Sequence, residues 1–373
     1  MYIKLFSILL FSTFINASCV SNINIIFDFK KQNITVDSKV YDSKKSIQLN
    51  YENFEITNKK NLDKLIQDGS NDINFGYTRH IEGLNDEYIS LLSHWYPFVQ
   101  NGCKYNIRTS LDKSYKTVYE DTKNKVDRVT FIASKQFIIS KKQYKNISVE
   151  TYFLKDDKNL SASYLDKSIE YIKLYEKSIG TFPYKKFRIV ENVNQTGYSL
   201  PTYTLIGSRL IRKSYTLNQS LGHEILHQYF GNSIFNDFSK GNWVEGLTTY
   251  LADDYYKELL GQGRVNRKVM LNEYENFVKS KDDFPISEFH HKFNKSSQLI
   301  GYSKLSFVFH MLKKKIGSEK FDGLIKKFYT QNKHKSLGLK ELVIFFNKNS
   351  KIDLNSFFNQ WLNKKGMIDF SIE

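Results

Sequence analysis

The chain has 373 residues, with 55 Lys and Arg against 39 Asp and Glu, a net charge of +16. This length allows two domains with a substantial core, and the chain contains no internal repeat, low-complexity tract or long Pro, Ser or Gly linker. The lysines are scattered and no nucleic-acid module is present, so the charge reads as compositional and nucleic acid is not an expected partner.

The chain opens on "MYIKLFSILLFSTFINASC", with Lys4, an apolar run from Leu5 to Ile15, and then small residues. This order is that of a secretory signal, and residues 1–18 are expected to be a signal peptide. The run is too short to span a bilayer, which takes about 20 residues, and no later segment is apolar enough. The expected destination is a bacterial periplasm or cell envelope. Cys19 and Cys103 are the two cysteines. Cys19 is either a lipidated first residue, which would tether the chain to a membrane, or the partner of Cys103 in a disulfide formed in an oxidising compartment.

From Ile23 to about Leu154 the pattern is strand-like. "INIIFDF", "SIQLNY", "VTFIASKQFIIS" and "ISVETYFL" alternate or run apolar, rich in β-branched and aromatic residues. One helix is expected at "NLDKLIQDG". Helical periodicity follows: "SASYLDKSIEYIKLYEKSIG" places Leu165, Ile169, Ile172 and Tyr175 on one face and ends at Gly180. "FRIVENV" and "PTYTLIG" read as strands. A helix carrying "HEILHQYFGN" comes next. Then "WVEGLTTYLADDYYKELLG" reads as a helix with Tyr250, Leu251 and Leu259 inward and Gly261 as its stop. Three amphipathic segments follow, near 299–315, 318–330 and 337–348, and a last one presents Leu354, Phe357, Phe358 and Trp361. The expected class is α+β, with a β-rich domain over 19–155 and a mostly helical domain with a small sheet over 156–373.

On a helix, residues i and i+4 share a face. His223 and His227 can therefore aim two imidazoles at one ion, with Glu224 beside them. A catalytic zinc takes a third protein ligand and keeps one position open. Glu245 in "NWVEGLTTYL", with seventeen residues between it and His227, fits if two antiparallel helices face each other. His290 and His291 are rival ligands in a loop-like stretch after Pro285.

"HEILHQYFGN…NWVEGLTTYL" resembles the gluzincin aminopeptidase family, which includes alanyl aminopeptidase and leukotriene-A hydrolase. The family pattern has one more residue between HExxH and the Glu, and here Trp243 stands one position closer to it. "GYSKLSFVFHML" resembles the family's Y-x-K-G segment, with Leu305 where the Gly is usual. "LSHWYPFV" resembles a W-Y-P packing segment of the N-terminal β-domain, and "FFNQWLNKKG" the segment that closes the catalytic domain.

The resemblance covers about 90–370, and the expected form is a short one, lacking the large helical C-terminal domain of classical members. It implies a thermolysin-like catalytic domain and one Zn2+ held by His223, His227 and Glu245. It further implies Glu224 as general base, Tyr302 as donor to the tetrahedral intermediate, and a peptide or protein substrate. The family's G-x-M-E-N strand, whose Glu binds the substrate α-amine, falls on "TGYSLPTYTLIG". Gly197, Tyr198 and Ser199 are then substrate-strand residues, but the Glu is missing, and no Asp or Glu occurs from Asn192 to Gly222. Exopeptidase and endopeptidase action both stay open. The alternative function is a non-catalytic, peptidase-like binding or assembly protein of the envelope.

Overall fold

The computed structural model describes residues 19–29, 33–42, 47–57, 81–84, 87–92, 95–96, 103–119, 126, 129–193 and 197–366. The expected signal peptide at 1–18 and the expected helix at 61–69 lie outside the described residues. Two compact units divide the chain, Met1–Lys135 and Gln136–Glu373.

The first unit is β-rich. Strands β1 (Val20–Asp28), β2 (Asn33–Asp42), β3 (Ile47–Thr57), β4 (Ile81–Leu84), β5 (Tyr88–Leu91), β6 (Lys104–Thr109), β7 (Lys116–Val118) and β8 (Phe131–Ser134) form two sheets. Their orders are β3-β2-β1-β6 and β4-β5-β8-β7. Alternation in β1 puts Ile23 and Ile25 into a core with Ile34, Val36, Trp95, Tyr105 and Phe131, as a half-buried strand of period two requires. Trp95 and Tyr96 of the W-Y-P segment are buried with ring centroids 4.7 Å apart. The Tyr96 hydroxyl accepts a hydrogen bond from Val129 N–H at 2.8 Å. Cys19 and Cys103 are joined by a disulfide, at the start of the parallel β1–β6 pair that begins Val20↔Lys104.

The second unit is built on a five-stranded sheet of β9 (Ile138–Tyr144), β10 (Ile147–Phe153), β11 (Lys186–Asn192), β12 (Gly197–Leu200) and β13 (Tyr203–Gly207), in the order β12-β13-β11-β10-β9. The sequence boundary at 155/156 therefore differs from the structural division. β9 and β10 are strand-like, as expected, yet they pair with each other and, through β10, with β11 of the second unit. The run "VTFIASKQFIIS" is strand-like on both sides of the polar Ser134-Lys135-Gln136, and it contributes β8 to one unit and β9 to the other. Central β11 and β13 are buried almost throughout, while the edge β12 is exposed at Gly197 and Tyr198. That contrast is the one expected between strands covered on both faces and an open edge.

Helix α1 (Ser161–Ser178) buries Leu165, Ile169, Ile172 and Tyr175 as its periodicity predicts. It then stops at Gly180, whose φ is 142°. The short α2 (Ser208–Ile211) leads to α3 (Leu221–Leu226), which carries the two-histidine motif. Three α1 tyrosines tie down this segment. Tyr164, Tyr171 and Tyr175 donate to the carbonyls of Ile211, Asn218 and Gly222 at 2.8, 2.6 and 3.0 Å. Gly222 permits the close approach, because a Cβ there would sit 2.7 Å from the Tyr171 ring.

The rest is mostly helical, apart from a short parallel pair of Phe235–Asn236 with Ser336–Leu337: α4 (Val244–Thr248), α5 (Tyr255–Leu259), α6 (Gly263–Phe277), α7 (Lys295–Gln298), α8 (Leu305–Ile316), α9 (Ser318–Asn332), α10 (Leu339–Ser350) and α11 (Asn355–Leu362). Leu259, expected to face inward, is 54% exposed because α5 ends there and the chain turns at Gly261. Helix α6 was not expected: only Gly263 and Tyr274 are buried and Met270 and Leu271 pack partly buried on the core, while the exposed Val265, Val269 and Phe277 blur its apolar stripe. Among the described residues, no helix is long and apolar enough to cross a membrane.

One buried acid pair sits at the end of β11. Glu191 accepts from Leu154 N–H at 2.8 Å and shares a proton with Asp157, which is bound by Arg212 through two 2.7 Å hydrogen bonds. Burial pushes Glu191 up to about 7. Burial opposes the Asp157 charge too, but Arg212 overrides it and holds that carboxyl low, so the shared proton stays on Glu191. The folded pKa of Glu191 lies above its ordinary value of 4.5, so the folded state binds the extra proton. Its cost is absent below pH 4.5 and grows as pH rises towards about 7, a window in which Asp157 is ionised whether folded or not. In urea unfolding, Glu191→Gln is expected to stabilise the chain at pH 8 relative to pH 5 by about 2 kcal/mol more than wild type. Parallel pH dependence of the two proteins would remove the shared proton from the account.

Candidate active site

His223 lies in α3 and His227 caps its end, so one helical turn presents both rings, with centroids 4.8 Å apart. Glu245 stands in the first turn of α4. Its Oε2 lies 3.7 Å from His223 Nε2 and 3.4 Å from His227 Nε2. Among the described residues these three form the group able to hold a metal ion, with ligand atoms within 4.8 Å of one another. The connection shortened by one residue thus still delivers Glu245. Helix α4 is placed by Trp243, fully buried, whose Nε1 donates to Leu337 O at 2.8 Å. Gly246 lets α8 approach: a Cβ there would meet Leu305 Cγ at 2.2 Å. The leucine that departs from the family pattern is therefore the side chain that fills the groove at Gly246.

The residues present fit a divalent ion. Among the described residues Glu245 Oε2 is buried without a hydrogen-bond partner, which is costly unless a ligand satisfies it. Each imidazole has its other nitrogen engaged. His223 Nδ1 lies 2.8 Å from Asp253 Oδ2, and His227 Nδ1 lies 3.2 Å from Phe230 O. A nitrogen that donates to oxygen leaves the opposite Nε2 with its lone pair free for a metal. Burial works against a charged His223, but Asp253 outweighs it and raises the pKa. Burial also opposes the Glu245 charge, and the two imidazoles reverse this, holding the carboxyl well below the usual range. Burial raises Glu224.

Glu224 faces the sheet edge: a Cβ built at Gly197 would lie 3.4 Å from Glu224 Oε1. Tyr302 stacks parallel to His223 at 6.4 Å and meets Phe289 edge-on at 6.3 Å. Burial first, then the charge of Glu245, raises its phenol pKa, so the hydroxyl stays protonated. Both Asp253 and Tyr302 lie in wide i→i+5 turns, Thr249–Asp254 and Leu299–Lys304, a geometry frequent at functional sites. Lys304 takes another role, buried with Nζ donating to Lys364 O at 2.9 Å.

Three expected substrate-strand residues are brought to this edge, but not equally. Gly197 borders Glu224, and Tyr198 is 51% exposed beside it. Ser199 turns inward: its hydroxyl donates to Glu224 O at 2.8 Å and accepts from Gln228 and Asn232 at 2.8 and 3.1 Å. Its side chain is therefore committed to contacts within the protein. His290 and His291 stand outside the metal group, both exposed, with His290 Nδ1 bonded to Phe238 O. Sequence reasoning missed Asp253, Gln228 and Asn232. Asp253 follows Glu245 by eight residues, a spacing that returns to the same helix face.

A family model described as "Peptidase family M1 domain" matches residues 165–361, more than half the chain. The chain belongs to the M1 peptidase family. Aminopeptidase 2, mitochondrial, of Saccharomyces cerevisiae is 23% identical over 266 residues, covering 65% of this chain and 28% of that protein. The chain thus spans little more than a quarter of the length of this curated relative. Among solved structures, the M1 zinc metallopeptidase from Deinococcus radiodurans is similar with a TM-score of 0.67 at 11% identity, covering 95% of both chains. Native yeast LTA4 hydrolase is similar with a TM-score of 0.62 at 15% identity, covering 94% of this chain and 68% of that one. These likenesses show the expected two-part M1 fold.

Because Asp253 orients His223, Asp253→Asn is expected to weaken zinc binding about 10- to 100-fold. Competition with a chromogenic chelator checks this; unchanged affinity would mean the 2.8 Å contact does not govern the ligand.

Proposed function

We propose that this M1 chain is an exported, zinc-dependent peptidase that binds an extended peptide along β12 and hydrolyses the bond held between Glu224 and Tyr302. One observation carries the reading: His223, His227 and Glu245 converge where Glu224 meets an open strand edge. One zinc per chain, when bound, supplies Lewis-acid polarisation of the scissile carbonyl and acidifies the attacking water.

Among the described residues β12 pairs with β13 alone, and its other edge offers main-chain groups to a substrate strand. Glu224 takes a proton from the attacking water as its oxygen bonds to the carbonyl carbon. When the C–N bond breaks, the same carboxyl returns that proton to the leaving nitrogen. Tyr302 O–H donates to the carbonyl oxygen as it gains charge. A non-catalytic role would need neither Glu224 nor Tyr302 beside the cluster.

Family membership favours an aminopeptidase. A specific observation favours a second reading, cleavage that does not require a free amino terminus. Nothing on β12 is acidic, and the nearest upstream carboxyl, Glu191, is 1% exposed and committed to Leu154 and Asp157. An ammonium bound there would find no counter-charge on the strand itself.

Export is supported by the pattern of residues 1–18 and by the Cys19–Cys103 disulfide. The same bond uses the sulfur that a lipid thioether would need, so tethering through Cys19 is not part of this proposal.

A chelator is expected to abolish peptide hydrolysis and zinc to restore it. Glu224→Gln is expected to lose about 10²–10⁴ in kcat, and Tyr302→Phe about 10²–10³, each keeping one zinc. Full activity in Glu224→Gln would sink the mechanism. Digestion of a peptide library with free and acetylated N-termini separates the two specificities: equal cleavage supports the second, and strict dependence on the free amine restores the first.

A further inference from the structure

Hydrolysis at this site requires the substrate strand at a fixed distance from Glu224. We infer that Gln228 is a positioning residue, whose buried amide registers the edge strand β12 against the helix that carries Glu224. The inference rests on the peptidase reading of the site.

Ladder bonds hold β12 on one side only, to β13 over four residues. On the side facing α3, side-chain hydrogen bonds take their place. Gln228 is fully buried. Its Nε2 donates to Ser199 Oγ at 2.8 Å and to Leu200 O at 3.0 Å, and its Oε1 accepts from Thr202 N–H at 2.9 Å. One amide thus grips three positions around the turn from β12 to β13. Ser199 extends the grip. Its single donor goes to Glu224 O, and its two lone pairs accept from Gln228 and Asn232, which exhausts a hydroxyl. The backbone of the base is therefore bonded directly to the strand that binds substrate.

The turn itself needs such a hold. Thr202 has φ 76°, a left-handed conformation that a β-branched residue adopts only when its surroundings enforce it. Gln228 fixes its N–H, and Arg188 Nη2 donates to its Oγ1 at 2.5 Å. Packing alone would not set this register, since Gly197 and Tyr198 are exposed. A displacement of about 1 Å at a reacting centre costs on the order of 10²-fold in rate.

The test uses the full chain with Gln228→Leu, which keeps the bulk and removes all three bonds, and Ser199→Ala, a milder change that breaks the link to Glu224. Hydrogen–deuterium exchange, zinc content and kinetics on an internally quenched peptide are measured together. In Gln228→Leu, amides of 197–204 should exchange about tenfold faster or more, while 221–227 keep their protection and one zinc stays bound. Here kcat should fall about 10- to 100-fold, with Ser199→Ala shifting both readouts in the same direction by less. Unchanged exchange at 197–204 or unchanged kcat would overturn the inference. So would loss of zinc and of protection across 221–227 in both variants, which would make the network a general support of the fold. If wild type cleaves no peptide, the peptidase reading fails, and the exchange data still decide whether Gln228 restrains the strand.

Discussion

Everything at this site depends on two imidazoles, one helical turn apart, offering the same nitrogen to one point. A free histidine has two tautomers and a rotatable ring. Here the choice is removed from outside the ring: Asp253 holds Nδ1 of His223, and the carbonyl of Phe230 holds Nδ1 of His227. Both Nε2 atoms then face Glu245, whose buried oxygen has no other partner. Three donors aimed at one place, with their alternative partners already committed, form a site prepared before any ion arrives.

That preparation works only if the helices cannot drift. The α1 tyrosines grip the approach to α3 and its first turn at three carbonyls, those of Ile211, Asn218 and Gly222, each bond worth about 1 kcal/mol. The ring of Tyr171 fills the space left by Gly222, one residue before His223. On the opposite side Leu305 fills the space left by Gly246, one residue after Glu245. A glycine beside a metal-binding residue is thus matched twice by a large side chain from a neighbouring helix. This pairing also explains why Leu305 is tolerated where the family usually has glycine.

The sequence made the metal group legible because its ligands are local or nearly so: two histidines fixed by helix geometry and a glutamate in a distinctive context. The core faces of α1 and the last helices were legible for the same reason, since 3.6-residue periodicity records a buried stripe. What escaped was recorded non-locally. Asp253 is one of two adjacent aspartates, and a wide turn decides which one meets His223. Ser199 reads as a substrate contact from its place on the strand, but its orientation follows from Gln228 and Asn232. The domain boundary was displaced because both halves of "VTFIASKQFIIS" are strand-like and only Ser134, Lys135 and Gln136 part them, although the halves belong to different sheets. In helix α6 the core-facing Met270, Leu271 and Tyr274 are mixed with exposed Val265, Val269 and Phe277, which masks the periodicity.

The two glutamates beside the histidines show how one small volume supports two chemistries. Both are desolvated, and desolvation alone would raise both. Glu245 lies against two imidazole nitrogens, which reverse the effect and keep it anionic. Glu224, on the next residue after His223 but turned towards Gly197 and the strand edge, keeps the raised value. In the proposed reaction the first must stay a ligand and never take a proton, and the second must take one and give it back. Environments that push paired carboxyls apart assign such roles, and here the separation comes from orientation: one faces the nitrogens, the other the substrate's path.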